Sequence, residues 1–220
     1  MKSAKILLIL GLFSASLGYA FINAGFDLGV MRDVFNNVDR LQPWRNFFRW
    51  VSHFGEAQYF VVLLALIWTG GWFKKRYSIN GFLGFCKRYQ LITGRFFITF
   101  GLASAVLHFL KFLTGRQRPS CNYLEALPNW HWFAFDGRYG SFPSGHAMAA
   151  VFLTVFVMRI WPKSRWWIWL WPIVVGVSRV ALTKHYPSDV LFGYALAFIN
   201  CAVYFWLNAT TKLSKKRTES

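Results

Sequence analysis

The stretch "GSFPSGHAMAAVFLTVFVM", residues 140–158, reads as a polar turn feeding an apolar helix. Pro143 suits the start of a helix, and Ser144 and Gly145 fall near its first turn. Beyond them nothing is charged from Ala147 to Met158. An ionisable side chain, His146, stands at the mouth of that run. Whether the run is buried in protein or faces lipid decides the fold.

Composition favours lipid. The chain has 220 residues, 55% hydrophobic and 20% aromatic, with 15% charged; a soluble domain carries about a quarter charged residues. The uncharged runs are Ile6–Phe26, Ala57–Phe73, Phe96–Leu110, Ala147–Met158, Trp166–Ser178 and Val190–Thr211. Two reach the ~20 residues that cross a bilayer outright, and the shorter ones end in polar residues suited to an interface or cavity. The expectation is an all-α integral membrane protein of six transmembrane helices. Residues 1–220 form one domain, since no Pro/Gly/Ser-rich linker or internal repeat divides them.

A net charge of +17 raises the question of nucleic acid. The placement of the charges points elsewhere. With both termini inside, the inner segments hold Lys2, Lys5, Lys74, Lys75, Arg76, Lys87, Arg88, Arg159, Lys163, Arg165, Lys212, Lys215, Lys216 and Arg217. Asp27, Asp33, Asp39, Glu56, Glu125, Asp136 and Asp189 fall outside, and only Glu219 inside. Basic residues gathered on the cytoplasmic side are what a membrane topology demands, so no nucleic-acid partner is expected. The first twenty residues have the basic start and small residues of a signal peptide, but the uncharged run continues through "FINAGF", which favours a retained first helix. Cys86, Cys121 and Cys201 share no compartment pairwise and are read as free thiols.

The six spans deliver ionisable groups to one depth. Lys111 ends the third span at the outer face, and Arg118 follows it. His146 opens the fourth, Arg179 ends the fifth, His185 lies in the next outer connection and Asp189 opens the sixth. Facing lipid, a charged group costs roughly 2.5–3.5 kcal/mol on insertion scales, so a shared polar pocket is expected. Two helix starts, at "FPSGHA" and "KHYPSD", bring backbone N–H groups that bind anions. Ser144 adds a hydroxyl, and Gly145 permits close approach. Lys111, Arg118 and Arg179 would neutralise the oxygens of a phosphoryl group in transfer. His185, four residues before Asp189 and able to hydrogen-bond it, would attack phosphorus; His146 would protonate the departing oxygen.

"KFLTGRQRP" (111–119), "PSGH" (143–146) and "SRVALTKHYPSD" (178–189) resemble the three signature motifs of the type 2 phosphatidic acid phosphatase superfamily. Lys111, Arg118, Pro119, Pro143, Ser144, Gly145, His146, Ser178, Arg179, His185 and Asp189 fill its signature positions. The resemblance implies a helical membrane fold, a phosphohistidine on His185, no metal and no cofactor. It also implies a lipid-linked phosphate ester or diphosphate as substrate. Soluble vanadium haloperoxidases share the motifs but lack lipid-facing spans.

The expected function is therefore a metal-independent lipid phosphatase of the bacterial inner membrane, with its site at the periplasmic face. A lipid phosphotransferase would share the first half-reaction. A transporter of an anionic lipid is disfavoured because the ionisable residues gather at one face, and a non-catalytic lipid-binding protein because both histidines and the aspartate are present. Headgroup and oligomeric state are left open. His53, His108 and His131 are read as packed, interfacial or solvated. Glu125 and Asp136 are candidates to orient Lys111 or Arg118, or simply to keep their loop soluble. "NWHWFAF" (129–135) is read as a lid or surface anchor, "WPKSRWWIWLW" as an inner aromatic belt, and residues 31–51 as an interfacial helix.

Overall fold

The computed structural model describes residues 2–76, 82–121, 130–164 and 166–218, with side chains described except at 73–76, 82–83 and 210–218. Glu125, Asn129, Arg165 and Glu219 lie outside the described residues, as do the side chains of Lys74, Lys75, Arg76, Lys212, Lys215, Lys216 and Arg217. The described chain is helical: α1 (Lys2–Asn23), α2 (Phe26–Asn36), α3 (Val38–Phe54), α4 (Ala57–Arg76), α5 (Phe82–Thr114), α6 (Gly145–Ile160), α7 (Leu170–Ala181) and α8 (Pro187–Thr218).

By length and composition, four stretches can cross a membrane: Lys2–Asn23, Val38–Trp72, Gly84–Thr114 and Pro187–Ala209. Helices α6 and α7 are apolar but shorter, at 16 and 12 residues. The run Phe96–Leu110 is only part of α5, which begins at Phe82, so Cys86 is buried within a helix rather than placed on an inner loop. Lys87 and Arg88 interrupt an apolar run without interrupting a helix, because both are good helix formers. The segment read as one interfacial helix is two, α2 and α3, which divide at Asn37.

Small residues bring α1 against α8. The buried positions of α1 are Ala4, Leu7, Gly11, Ser14 and Gly18, alternating at three and four residues. A methyl group at Gly11 would lie 2.8 Å from Ile199, and one at Gly18 2.9 Å from Phe192. The helices run antiparallel with their backbones close, a packing that small residues permit in lipid. The opposite face of α1 exposes Ile6, Ile9 and Phe13.

Helix α6 is the centre of the bundle, buried at nearly every position from Ala147 to Phe156. A helix apolar on all sides belongs inside. Phe152 meets Phe100 edge-to-face at 5.2 Å, Phe156 meets Phe96 at 5.3 Å, and Phe60 meets Phe100 at 5.0 Å. This aromatic layer joins α4 and α5 to α6. It anchors the middle of α6, beyond the start where His146 stands.

Candidate active site

The helix starts that carry the signature residues are pinned to each other. Pro187 opens α8, where a missing N–H costs nothing, and Asp189 follows in the first turn. The backbone N–H of Ser144, the N-cap of α6, donates to the Asp189 carbonyl oxygen at 2.9 Å. Gly193, one turn further along α8, permits this approach: a methyl group there would collide with the Ser144 carbonyl oxygen. The buried Ser144 hydroxyl accepts from the Ala147 N–H at 3.5 Å, leaving its own hydrogen free to be donated. Gly145 and His146 supply N–H groups that have no partner within the helix.

Behind these starts lies a fully buried floor. His185 Nδ1 is 2.6 Å from the Ser141 carbonyl oxygen and 3.7 Å from Asp189 Oδ2. The spacing of four predicts an imidazole–carboxylate hydrogen bond; a backbone carbonyl takes that place, because Asp189 is engaged elsewhere. Its Oδ1 accepts from Arg116 Nη1 at 2.5 Å. Its Oδ2 accepts from the Ser141 hydroxyl at 2.5 Å and the Tyr186 N–H at 2.9 Å. A carbonyl only accepts, so His185 Nδ1 carries the hydrogen and Nε2 carries the lone pair. Burial pushes the His185 imidazole down to about 3, with Lys111 and Arg179 adding to it against the pull of Asp189. The ring is therefore neutral at pH 7.

The cations form a half-buried rim. Lys111, in the last turn of α5, donates to the Gly140 carbonyl. Arg118 donates to the carbonyls of Gly137 at 2.9 Å and Lys184 at 3.2 Å, tying the loop after α5 to the one before α8. Arg179 donates to the Ser52 hydroxyl on α3, and its buried Nε has no partner. The charges of Lys111 and Arg179 act on both His146 and His185, and that of Arg118 acts on His146. All six expected ionisable residues thus meet where α5 and α7 end and α6 and α8 begin.

Other residues fall away from the site. His108 is exposed, His131 packs against Tyr139 with the rings tilted, and His53 bonds Glu56 and Tyr59. Asp136 pairs with Arg138 and orients neither Lys111 nor Arg118. Trp132, Phe133 and Phe135 of the expected lid are exposed, as are Trp161, Trp166 and Trp167 of the expected belt. Cys86, Cys121 and Cys201 are free. Among the described residues no three of His, Cys, Asp and Glu gather where they could hold a metal ion.

Sequence reasoning missed Arg116, Asp27, Ser141 and Ser188. Arg116 is fully buried between the rings of Tyr186, at 4.1 Å, and Trp130, at 5.1 Å. Burial opposes its charge, but Asp189 and Asp27 more than offset this and raise its pKa. Asp27 carried a usable signal: it ends the first uncharged run at the same outer depth as the other ionisable residues.

The PAP2 superfamily model matches residues 92–212, and the chain belongs to that superfamily. It is 29% identical to a lipid A 1-phosphatase of Rhizobium johnstonii over 122 residues, half of each protein. It is 26% identical to phosphatidylglycerophosphatase B of Bacillus subtilis over 170 residues, 72% of each. The chain thus spans only about half the length of the first of these relatives. In fold it is similar to the crystal structure of a transmembrane PAP2-type phosphatidylglycerolphosphate phosphatase from Bacillus subtilis. The TM-score is 0.63 at 22% identity, covering 96% of this chain and 98% of the other.

Proposed function

We propose that the protein is a metal-independent phosphatase that removes phosphate from a lipid phosphate or diphosphate through a phosphohistidine. The observation that carries this reading is the hydrogen bond from His185 Nδ1 to the Ser141 carbonyl, which leaves Nε2 as a neutral nucleophile beside three cations. Nε2 attacks phosphorus, the bond from phosphorus to the lipid oxygen breaks, and His146 gives that oxygen its proton. Water then attacks the phosphohistidine, His146 takes a proton back, and inorganic phosphate leaves. Asp189, 3.7 Å from Nδ1, balances the positive charge that the ring gains on phosphorylation. Lys111, Arg118, Arg179, the Ser144 hydroxyl and the Gly145 and His146 N–H groups hold the phosphoryl oxygens. The unpartnered Nε of Arg179 suits an incoming oxygen.

A lipid substrate is supported by an apolar groove of about 630 Å³ lined by Trp50, Phe54, Phe60, Leu153, Trp171 and Val174. Its lining includes Gly55 and Glu56, just past the Ser52 that holds Arg179. The similar proteins named for lipid A and for phosphatidylglycerophosphate act on the same substrate class. The purified protein in detergent is expected to release phosphate from long-chain phosphatidate or an isoprenyl diphosphate far faster than from glycerol phosphate. Equal rates on all three would remove the lipid from the reading. Phosphate passing to an added lipid alcohol rather than to water would make it a phosphotransferase, and a transporter would release none.

In this reading α1, α4, α5, α6, α7 and α8 span a bacterial inner membrane, with α2, α3 and the site at the periplasmic face. The native thiols test it, because Cys121 is exposed beside the site while Cys86 and Cys201 are buried. An impermeant maleimide added from the periplasmic side should label the wild type once and Cys121→Ser not at all. Labelling of Cys121 only after the inner membrane is opened would reverse the topology.

A further inference from the structure

We propose that Asp27 is a positioning residue for the His185 nucleophile, acting through Arg116 and Ser188; the proposal rests on the phosphatase reading above. Asp27 opens α2 and lies outside residues 92–212, which match the superfamily. Nonetheless it is buried against the first turn of α8. Its Oδ1 accepts from the Ser188 backbone N–H at 2.9 Å. Its Oδ2 accepts from Arg116 Nη2 at 2.8 Å and from the Ser188 hydroxyl. That hydroxyl in turn accepts from Arg116 Nη1 at 2.7 Å. Each of these hydrogen bonds runs from an N–H or O–H donor to an oxygen acceptor.

The geometry assigns Asp27 two effects. A guanidinium facing a single carboxylate prefers a two-pronged grip on both oxygens. Here Asp27 takes Nη2, so Arg116 offers only Nη1 to Asp189 and occupies only Oδ1. Oδ2 is thereby left to the Ser141 hydroxyl and the Tyr186 N–H, facing His185. Ser141 is the residue whose carbonyl holds Nδ1, so this arrangement reaches the nucleophile directly. The second effect is charge. Asp27, Arg116 and Asp189 together carry one net negative charge under the ring that becomes cationic on phosphorylation. Asp27 also supplies a carboxylate at the start of α8, where the helix dipole favours one.

Asp27→Asn keeps the shape and removes the charge and one acceptor. With the full-length protein in detergent, kcat on a lipid phosphate and on an aryl phosphate should fall by roughly 10–100-fold, by analogy with the loss of an outer-shell partner that orients a metal-ligating imidazole. KM and inhibition by inorganic phosphate should stay within about twofold, because the cations of the rim are untouched. If Asp27→Asn does not fold, Arg116→Lys reads the same geometry, since it keeps the charge but not the fork; it too should lose kcat at constant KM. A kcat within twofold of wild type, or a loss confined to KM, in the variant measured would overturn the role of Asp27. Wild-type protein that releases no phosphate from any ester would instead sink the phosphatase reading, and the positioning role with it.

Discussion

Replacing His185 with alanine is expected to abolish phosphate release from lipid and aryl phosphates alike, by a factor on the order of 10⁴ or more. The nucleophile is needed whatever group leaves, and removing such a residue generally costs most of the chemical step. The protein should still fold. His185 is fully buried, but its ring lies in the polar floor of the site, outside the aromatic layer that packs α6 against α4 and α5. Its loss leaves the Ser141 carbonyl without its partner, a cost of about 1–3 kcal/mol. Wild-type protein quenched during turnover of a ³²P-labelled substrate should carry a label that survives base and is lost in acid, as a phosphohistidine does. His185→Ala should carry none. Near-normal turnover in His185→Ala would end the covalent mechanism.

The contrast with Asp189 is instructive. Asp189→Asn would disturb Arg116, the Ser141 hydroxyl and the Tyr186 N–H together, because all three meet that carboxylate. A loss there reads the whole floor, whereas a loss at His185 reads one atom, Nε2.

The rim of the site and two floor residues, His185 and Asp189, are legible in the sequence; the residues that hold them, Arg116, Ser141, Ser188 and Asp27, are not. Ionisable residues at the ends of apolar runs stand out, since lipid makes them costly wherever they are not gathered. That reasoning located Lys111, His146, Arg179, His185 and Asp189 together. Asp189 reads as the partner of His185 because the two are four apart, but spacing along the chain says nothing of rivals from elsewhere. The rivals come from Arg116 and Ser141, 73 and 48 residues away along the chain. Arg116 sits in a loop, where a charged residue is unremarkable until the fold buries it. Asp27 reads in the sequence only as an outer acidic charge, because nothing along the chain ties it to the start of α8. Apolar runs located the helices but misjudged α5, whose charged inner turns continue a helix that hydropathy alone would end.

His146→Ala is expected to separate two substrates that His185→Ala does not. The alkoxide of a lipid alcohol is a poor leaving group and departs with a proton; a nitrophenolate needs little help. General acid assistance is typically worth about 10²–10⁴-fold. His146→Ala should therefore lose roughly that factor on a lipid phosphate monoester and much less on nitrophenyl phosphate. The position of His146 fits the role: it stands in the first turn of α6, half-buried, among the cations of the rim rather than in the floor with His185. A phosphate arriving there brings negative charge, which offsets those cations and favours a proton on the imidazole. Steady-state rates would blunt the contrast if hydrolysis of the phosphohistidine were limiting, because the same histidine then activates water for both substrates. Single-turnover measurements watch the first step alone and avoid this. Equal single-turnover losses on the two substrates would make His146 a phosphate ligand and leave the leaving oxygen to take its proton from another source.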